Sequence, residues 1–184
     1  AAIAVAWNLG ISNQKITAGL SEFQGIDRRF QIKGPLAFET GELLLVDDYA
    51  HHPRELQATL AATAAAWPNS RKLVVFQPHR YSRTRDLLED FGRVLSVVDH
   101  LIVMEVYAAG EAAIDSADGR ALCRAIRARG KAMPVFVEDR EQLLEVLADT
   151  LQAGDVLITL GAGDIGRIAQ ELPDFVSKLS GEAA

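Results

Sequence analysis

Cysteine is almost missing from this chain: Cys123 stands alone among 184 residues. Its isolation excludes an intrachain disulfide framework and a thiolate zinc cluster, and it fits a reducing compartment. Long apolar runs are missing as well, and none reaches the roughly 18 residues that a bilayer span requires. Positive charge is in deficit, with a formal net charge of −6. That balance excludes nucleic-acid binding as the main activity and leaves only a local basic cluster for a small anion. No HExxH and no Cys/His ligand spacing occurs, so no metal site is assigned. Internal repeats are absent, and low complexity is confined to one alanine-rich stretch near 53–66.

What is present is a globular composition, 49% hydrophobic and 24% charged. It suits one ordinary domain with an extra piece at one end. The first residues, Ala1-Ala2-Ile3-Ala4-Val5-Ala6-Trp7, are apolar but lack the basic region that opens a signal peptide. They read as a helix already under way, closed by Gly10, and the chain reads as part of a larger protein. Ser12 is placed to cap a second helix carrying Ile16, Ala18, Leu20 and Phe23, ending before Gly25. About the first 25 residues therefore read as two helices without strands, and Gly25-Ile26-Asp27-Arg28-Arg29-Phe30 as a linker. Trp7 and Trp67 lie on apolar helical patterns and are expected in the core, as is an inert Cys123.

From residue 30 the pattern changes. Strand-like runs fall near 30–32, 36–39, 43–47, 72–77, 101–106, 134–137 and 155–160. Helical periodicity lies near 53–66, 84–97, 118–129, 140–152 and 164–178. Gly34-Pro35 and Gly41-Glu42 punctuate the first strands and imply a small antiparallel opening. The later alternation implies βαβ crossovers and a mostly parallel, Rossmann-like sheet with helices on both faces. In such α/β sheets ligands bind beyond the carboxyl ends of the strands. Four loops should therefore share one edge: Asp48-Tyr49-Ala50-His51-His52, Pro78-His79-Arg80-Tyr81-Ser82-Arg83, Tyr107-Ala108-Ala109-Gly110-Glu111 and Gly161-Ala162-Gly163-Asp164-Ile165-Gly166.

Arg80 and Arg83, three apart, would share a face if already helical, and their guanidinium forks suit carboxylate or phosphate oxygens. Cations are unfavourable at the positive end of a helix, so this cluster predicts an anion there. In the Asp/His loop, metal ligation and general-base chemistry at His51 or His52 compete with a third role. That role is holding a ligand by hydrogen bonds and ring contact, through Tyr49 and Asp48. One Asp and one His are expected to do no more than pair and cap the helix. The glycine-rich turn matches G-x-G-x-x-G, but no second strand with its acidic residue follows, and Asp164 would repel a pyrophosphate. Its glycines instead imply a tight turn and a backbone wall close to a small ligand. Tyr107 and Glu111 carry weaker signals.

The segments Asp47-Asp48-Tyr49-Ala50-His51-His52-Pro53, Phe76-Gln77-Pro78-His79-Arg80-Tyr81-Ser82-Arg83-Thr84-Arg85-Asp86, Val106-Tyr107-Ala108-Ala109-Gly110-Glu111 and the glycine turn resemble the C-terminal domain of the Mur ligases. The resemblance runs nearly end to end, with Ala1 to about Phe23 similar to the last helices of a central ATP-binding domain. That likeness implies a domain boundary between 1–25 and 26–184, with Gly25 and its successors as a hinge. It implies a bacterial, cytoplasmic enzyme of peptidoglycan precursor synthesis that uses ATP and Mg2+ to activate a muramoyl carboxylate as an acyl phosphate. An amine then attacks that intermediate. UDP-N-acetylmuramate and L-alanine are the implied substrates, with a tripeptide in place of alanine as the alternative. A stand-alone module binding small anions or amino acids is a further alternative. By the same resemblance Arg29 and Asp48 contact nucleotide phosphates and ribose, while Tyr49, His51, Arg80 and Arg83 line the amino-acid site. The family's phosphate loop, magnesium ligands and UDP-binding domain are absent here, so these 184 residues alone are expected to be inactive. The N-terminal helices offer a surface for dimerisation. Ala50 is a mild departure from the glycine many members carry.

Overall fold

The aliphatic runs pair into one mostly parallel sheet in a computed structural model, which describes residues 1–23, 25–38 and 41–181. Its strands are β1 (Gln31–Ile32), β2 (Leu36–Phe38), β3 (Gly41–Asp48), β4 (Lys72–Phe76), β5 (His100–Met104), β6 (Val135–Val137) and β7 (Val156–Leu160). The order across the sheet is β1-β3-β7-β4-β5-β6, with β2 pairing β3 off this path. β1 and β2 run antiparallel to β3, which gives the antiparallel opening. All other pairings are parallel. Gln24 and Glu39, the latter placed at the end of a predicted strand, lie outside the described residues.

Strand side chains alternate faces, so each face of the sheet needs its own cover. Val46, Val74, Phe76, Val103 and Ile158 share one apolar cluster with Leu56 of α3 (Pro53–Ala66), Phe91 of α5 (Leu88–Leu95) and Leu122 of α6 (Gly119–Arg127). Leu45, Leu73, Val75, Ile102 and Leu157 share the other with Leu143 of α7 (Arg140–Thr150) and Leu172 of α8 (Ile165–Leu179). Helices thus cover both faces, as the continuous apolar strands require. Cys123 is buried on α6, and burial pushes its thiol up to about 11, so it stays a protonated, unreactive thiol at neutral pH.

Two expectations give way. The helix expected over 84–97 is two helices, α4 (Tyr81–Asp86) and α5, separated at Leu87, whose φ of −117° and ψ of 18° are not helical. Continuous periodicity could not show this, because Leu87 and Leu88 both pack onto the core across the break. Trp7 is 67% exposed rather than core. Its helix α1 (Ala2–Asn8) and the next, α2 (Asn13–Ser21), contain no buried residue. Their capping is nonetheless as expected, with Ser12 accepting from the Lys15 amide and Gly10 at φ +76°. Trp67 is half-buried and stacks on Phe30, ring centroids 6.2 Å apart.

A buried ion pair joins the linker after α2 to the sheet. Arg28 Nε donates to Asp47 at 3.1 Å, and Arg28 Nη2 donates to the Gly161 carbonyl at 2.6 Å. Asp47 is fully buried and also accepts from Thr159 Oγ1 at 2.8 Å. Removing one partner of such a pair strands a desolvated charge. Arg28→Ala is expected to cost about 3 kcal/mol of unfolding free energy, read from the midpoint of urea denaturation at unchanged slope. A loss below about 0.5 kcal/mol would show that Asp47 finds other solvation.

Candidate functional site

Because β3, β7, β4 and β5 run parallel, their carboxyl ends open on one edge. Backbone pairing continues past the strands and zips the loops together. Gly161 N donates to Asp48 O at 3.3 Å and Gln77 N to Leu160 O at 3.0 Å. Tyr107 N donates to Pro78 O and Arg80 N to Tyr107 O, both at 2.8 Å. The four loops named from sequence therefore do meet at a common rim.

Along that rim runs a row of rings. Tyr49 meets His51 edge-on at 5.2 Å, His51 meets His79 at 5.8 Å, and His79 stacks on Tyr107 at 5.5 Å. Arg28 and Arg29 lie over the Tyr49 ring at 5.2 and 5.8 Å. His51 Nδ1 is 3.0 Å from the Tyr49 carbonyl, which can only accept. Nδ1 of His51 therefore carries its proton, and in the neutral ring Nε2 is left as the acceptor. At His79 the assignment reverses. Arg83 Nη1, which can only donate, lies 3.3 Å from His79 Nδ1 and 3.2 Å from the His79 carbonyl. Nδ1 of His79 must accept, so Nε2 holds the proton. Burial, then the Arg83, His51 and Arg80 charges, lowers the His79 pKa below its ordinary 6.5. This neutral ring beside a guanidinium suits ligand contact.

Each predicted residue has a definite place. Tyr49 is 38% exposed between the two arginines and His51. Arg29 is exposed above Tyr49. Asp48 is only 7% exposed and accepts from the Phe30 and Ala50 amides and from Thr59 Oγ1. It orders the loop first, and any ligand would share an oxygen already in use. His52 does cap α3, accepting from the Arg54 amide, but it does not pair with an Asp. Glu55 completes that cap by accepting from the His51 and His52 amides.

The arginine loop differs from expectation in two ways. Arg80 precedes the helix with φ +73°, so it does not share a helical face with Arg83. The anion expected at the start of α4 belongs to the protein. Glu111 accepts from Ser82 N at 3.0 Å and from Ser82 Oγ at 2.7 Å, and lies 3.6 Å from Arg80 Nη1. The Ser82 amide, then its hydroxyl, holds the Glu111 carboxyl below the usual carboxylate range.

The glycine turn is tight, as read, but its wall faces protein rather than a ligand. A Cβ at Gly161 would meet the Gln77 carbonyl, one at Gly163 the Tyr107 ring, and one at Gly166 the Arg28 guanidinium. Gln77 fixes the turn by accepting from Ile165 N and donating to Asp164. Sequence reasoning missed His79, Arg28 and Gln77 as site residues. His79 sits inside the arginine motif, where an imidazole after a strand was the available signal. For Arg28 no signal existed, since only its φ of +56° turns it inward in place of Arg29.

Fold and rim together define an α/β domain that presents a row of rings and guanidinium groups at its strand ends. Residues 28–163 match the family described as Mur ligase, glutamate ligase domain. The chain belongs to the Mur ligase family. It is 56% identical over 174 residues to UDP-N-acetylmuramate–L-alanine ligase of Methylococcus capsulatus, covering 95% of this chain and 37% of that protein. Among solved structures, UDP-N-acetylmuramate–alanine ligase of Thermotoga maritima superposes with a TM-score of 0.70 at 29% identity, over 98% of this chain and 36% of the other. A murein peptide ligase of Psychrobacter arcticus shares the fold, with a TM-score of 0.69 at 23% identity, over 100% of this chain and 36% of the other. The chain thus spans little more than a third of the length of these relatives.

The neutral His79 has a consequence for stability. The unfolded imidazole binds a proton near its ordinary pKa of 6.5, and the folded one only at lower pH. The folded state therefore loses stability as pH falls below that value. His79→Gln should flatten the fall in urea midpoint between about pH 7 and 5 relative to the parent. Parallel pH profiles would place the linkage elsewhere.

Proposed function

We propose that this chain is the C-terminal, amino-acid-receiving part of a UDP-N-acetylmuramate–L-alanine ligase, a cytoplasmic, bacterial, ATP-dependent amide ligase of peptidoglycan precursor synthesis. The observation that carries the reading is the state of Arg83. Among the described residues its hydrogen-bond partners are the neutral His79 ring and a carbonyl, and no carboxylate answers its charge. A partly buried guanidinium in that state is suited to an incoming carboxylate. The 56% identical relative supports alanine as the carrier of that carboxylate.

In this reading Tyr49, His51, Arg80 and Arg83 form the alanine site, and Arg29 and Asp48 make edge contacts to the nucleotide. Residues 1–25 belong to the preceding ATP-binding domain and 26–184 to the closing domain. Gly25, at φ +91°, lies in the hinge. ATP and Mg2+ are implied by the family, but among the described residues of this chain none form a metal-ligand group or an open phosphate cradle. Among the described residues no group of three or more His, Cys, Asp or Glu could hold a metal ion. The glycine turn, the one phosphate-like cradle in the sequence, is filled by Arg28, Gln77 and Tyr107. What these residues supply is orientation: the arginines take the carboxylate, and the rings wall the side chain and exclude water.

In a full-length ligase carrying this chain, Arg83→Ala should raise KM for alanine about 30- to 100-fold and leave KM for ATP within about threefold, as loss of one desolvated charge-assisted bond implies. Equal effects on both substrates would overturn the assignment. A preference for tripeptide over free alanine in the same assay would move the reading to a peptide-recycling ligase. The 184 residues alone should show no alanine-dependent ATP hydrolysis, and turnover by them would refute the division of labour.

A further inference from the structure

The two arginines of the amino-acid site are not equivalent. Arg83 has no anionic partner among the described residues, whereas Arg80 stands 3.6 Å from the Glu111 carboxylate. That carboxylate is immobilised independently of Arg80, because both its oxygens are held by Ser82, through the amide at 3.0 Å and the hydroxyl at 2.7 Å. The Arg80 contact is too long for a hydrogen bond and leaves the guanidinium half exposed, with the side chain 50% accessible. Arg80 is therefore partly neutralised yet still open to solvent. Its backbone, by contrast, is pinned at φ +73° by the bond to the Tyr107 carbonyl.

We propose that Glu111 is a specificity-determining residue of the amino-acid site: a resident carboxylate that competes with the substrate carboxylate for Arg80 and so leaves Arg83 as the principal anchor. This rests on the reading of Arg80 and Arg83 as the carboxylate-binding pair. The consequence is a bias against ligands with a second negative charge, since a side-chain carboxylate directed toward Arg80 meets Glu111. A single carboxylate with a small uncharged side chain meets no such penalty.

Glu111→Gln separates charge from shape. The glutamine oxygen still accepts from Ser82 N, and its amide can donate to the Ser82 hydroxyl, so the turn opening α4 is preserved. In the full-length ligase, Glu111→Gln should lower KM for alanine about threefold, the scale of one exposed charge pair, with KM for ATP unchanged. It should also strengthen inhibition by aspartate or glutamate added as competitors, by at least a similar factor. In an Arg80→Ala background the same substitution should change neither quantity, because the effect passes through Arg80. Glu111→Ala, which also removes the Ser82 cap, should instead raise KM for alanine. An unchanged KM in Glu111→Gln, or an effect that persists without Arg80, overturns the proposal. If neither Arg80→Ala nor Arg83→Ala moves KM for alanine, the amino-acid site itself is misplaced, which is a separate failure.

Discussion

The Arg28–Asp47 ion pair is the contact on which the site depends. Asp47 is the point where β3 passes from core to loop, and its carboxylate is wholly buried. A buried carboxylate must be answered by charge and by hydrogen bonds, and here Arg28 and Thr159 supply both. Because Arg28 also donates to the Gly161 carbonyl, the linker, the end of β3 and the glycine turn become one unit. The left-handed backbone at Arg28 and Phe30 is the conformational cost of that arrangement. It also leaves Arg29 exposed above Tyr49 while its neighbour Arg28 is largely buried.

The rest of the rim extends the same logic from strand to loop. Pairing of Tyr107 with Pro78 and Arg80 prolongs the parallel ladder beyond β4 and β5. Two imidazoles are thereby placed side by side with opposite proton positions, each fixed by a neighbour of one hydrogen-bonding sense. The result, among the described residues, is a rim with an open ring acceptor at His51, a ring donor at His79 and a guanidinium at Arg83 that no carboxylate pairs. That combination of one acceptor, one donor and one cation matches a zwitterion better than a simple anion.

Fold class was legible because short, continuously apolar runs alternating with longer amphipathic ones leave few architectures. The convergence of four loops followed from parallel strands alone. Less legible was what depends on single dihedral angles or on partners distant in sequence. The break at Leu87 lies inside unbroken periodicity, and the inward turn of Arg28 is set by a positive φ at a residue that sequence does not mark. Reading an anion at the start of α4 was chemically sound, yet Glu111, 29 residues from Ser82, already provides it. Trp7 was misplaced because an apolar stripe shows that a helix has something to bury, not that this chain supplies the cover.

The interruption at Leu87 also bears on the proposed amino-acid site. Only Thr84 of α4 is buried, whereas α5 buries Phe91, Gly92, Val94 and Leu95. A shift of the short segment bearing Arg83 therefore disturbs little apolar packing, while the longer helix behind it stays anchored. If the proposed site takes a ligand there, adjustment would be confined to α4, like a fingertip bending while the hand stays still, with α5 and the sheet left in place.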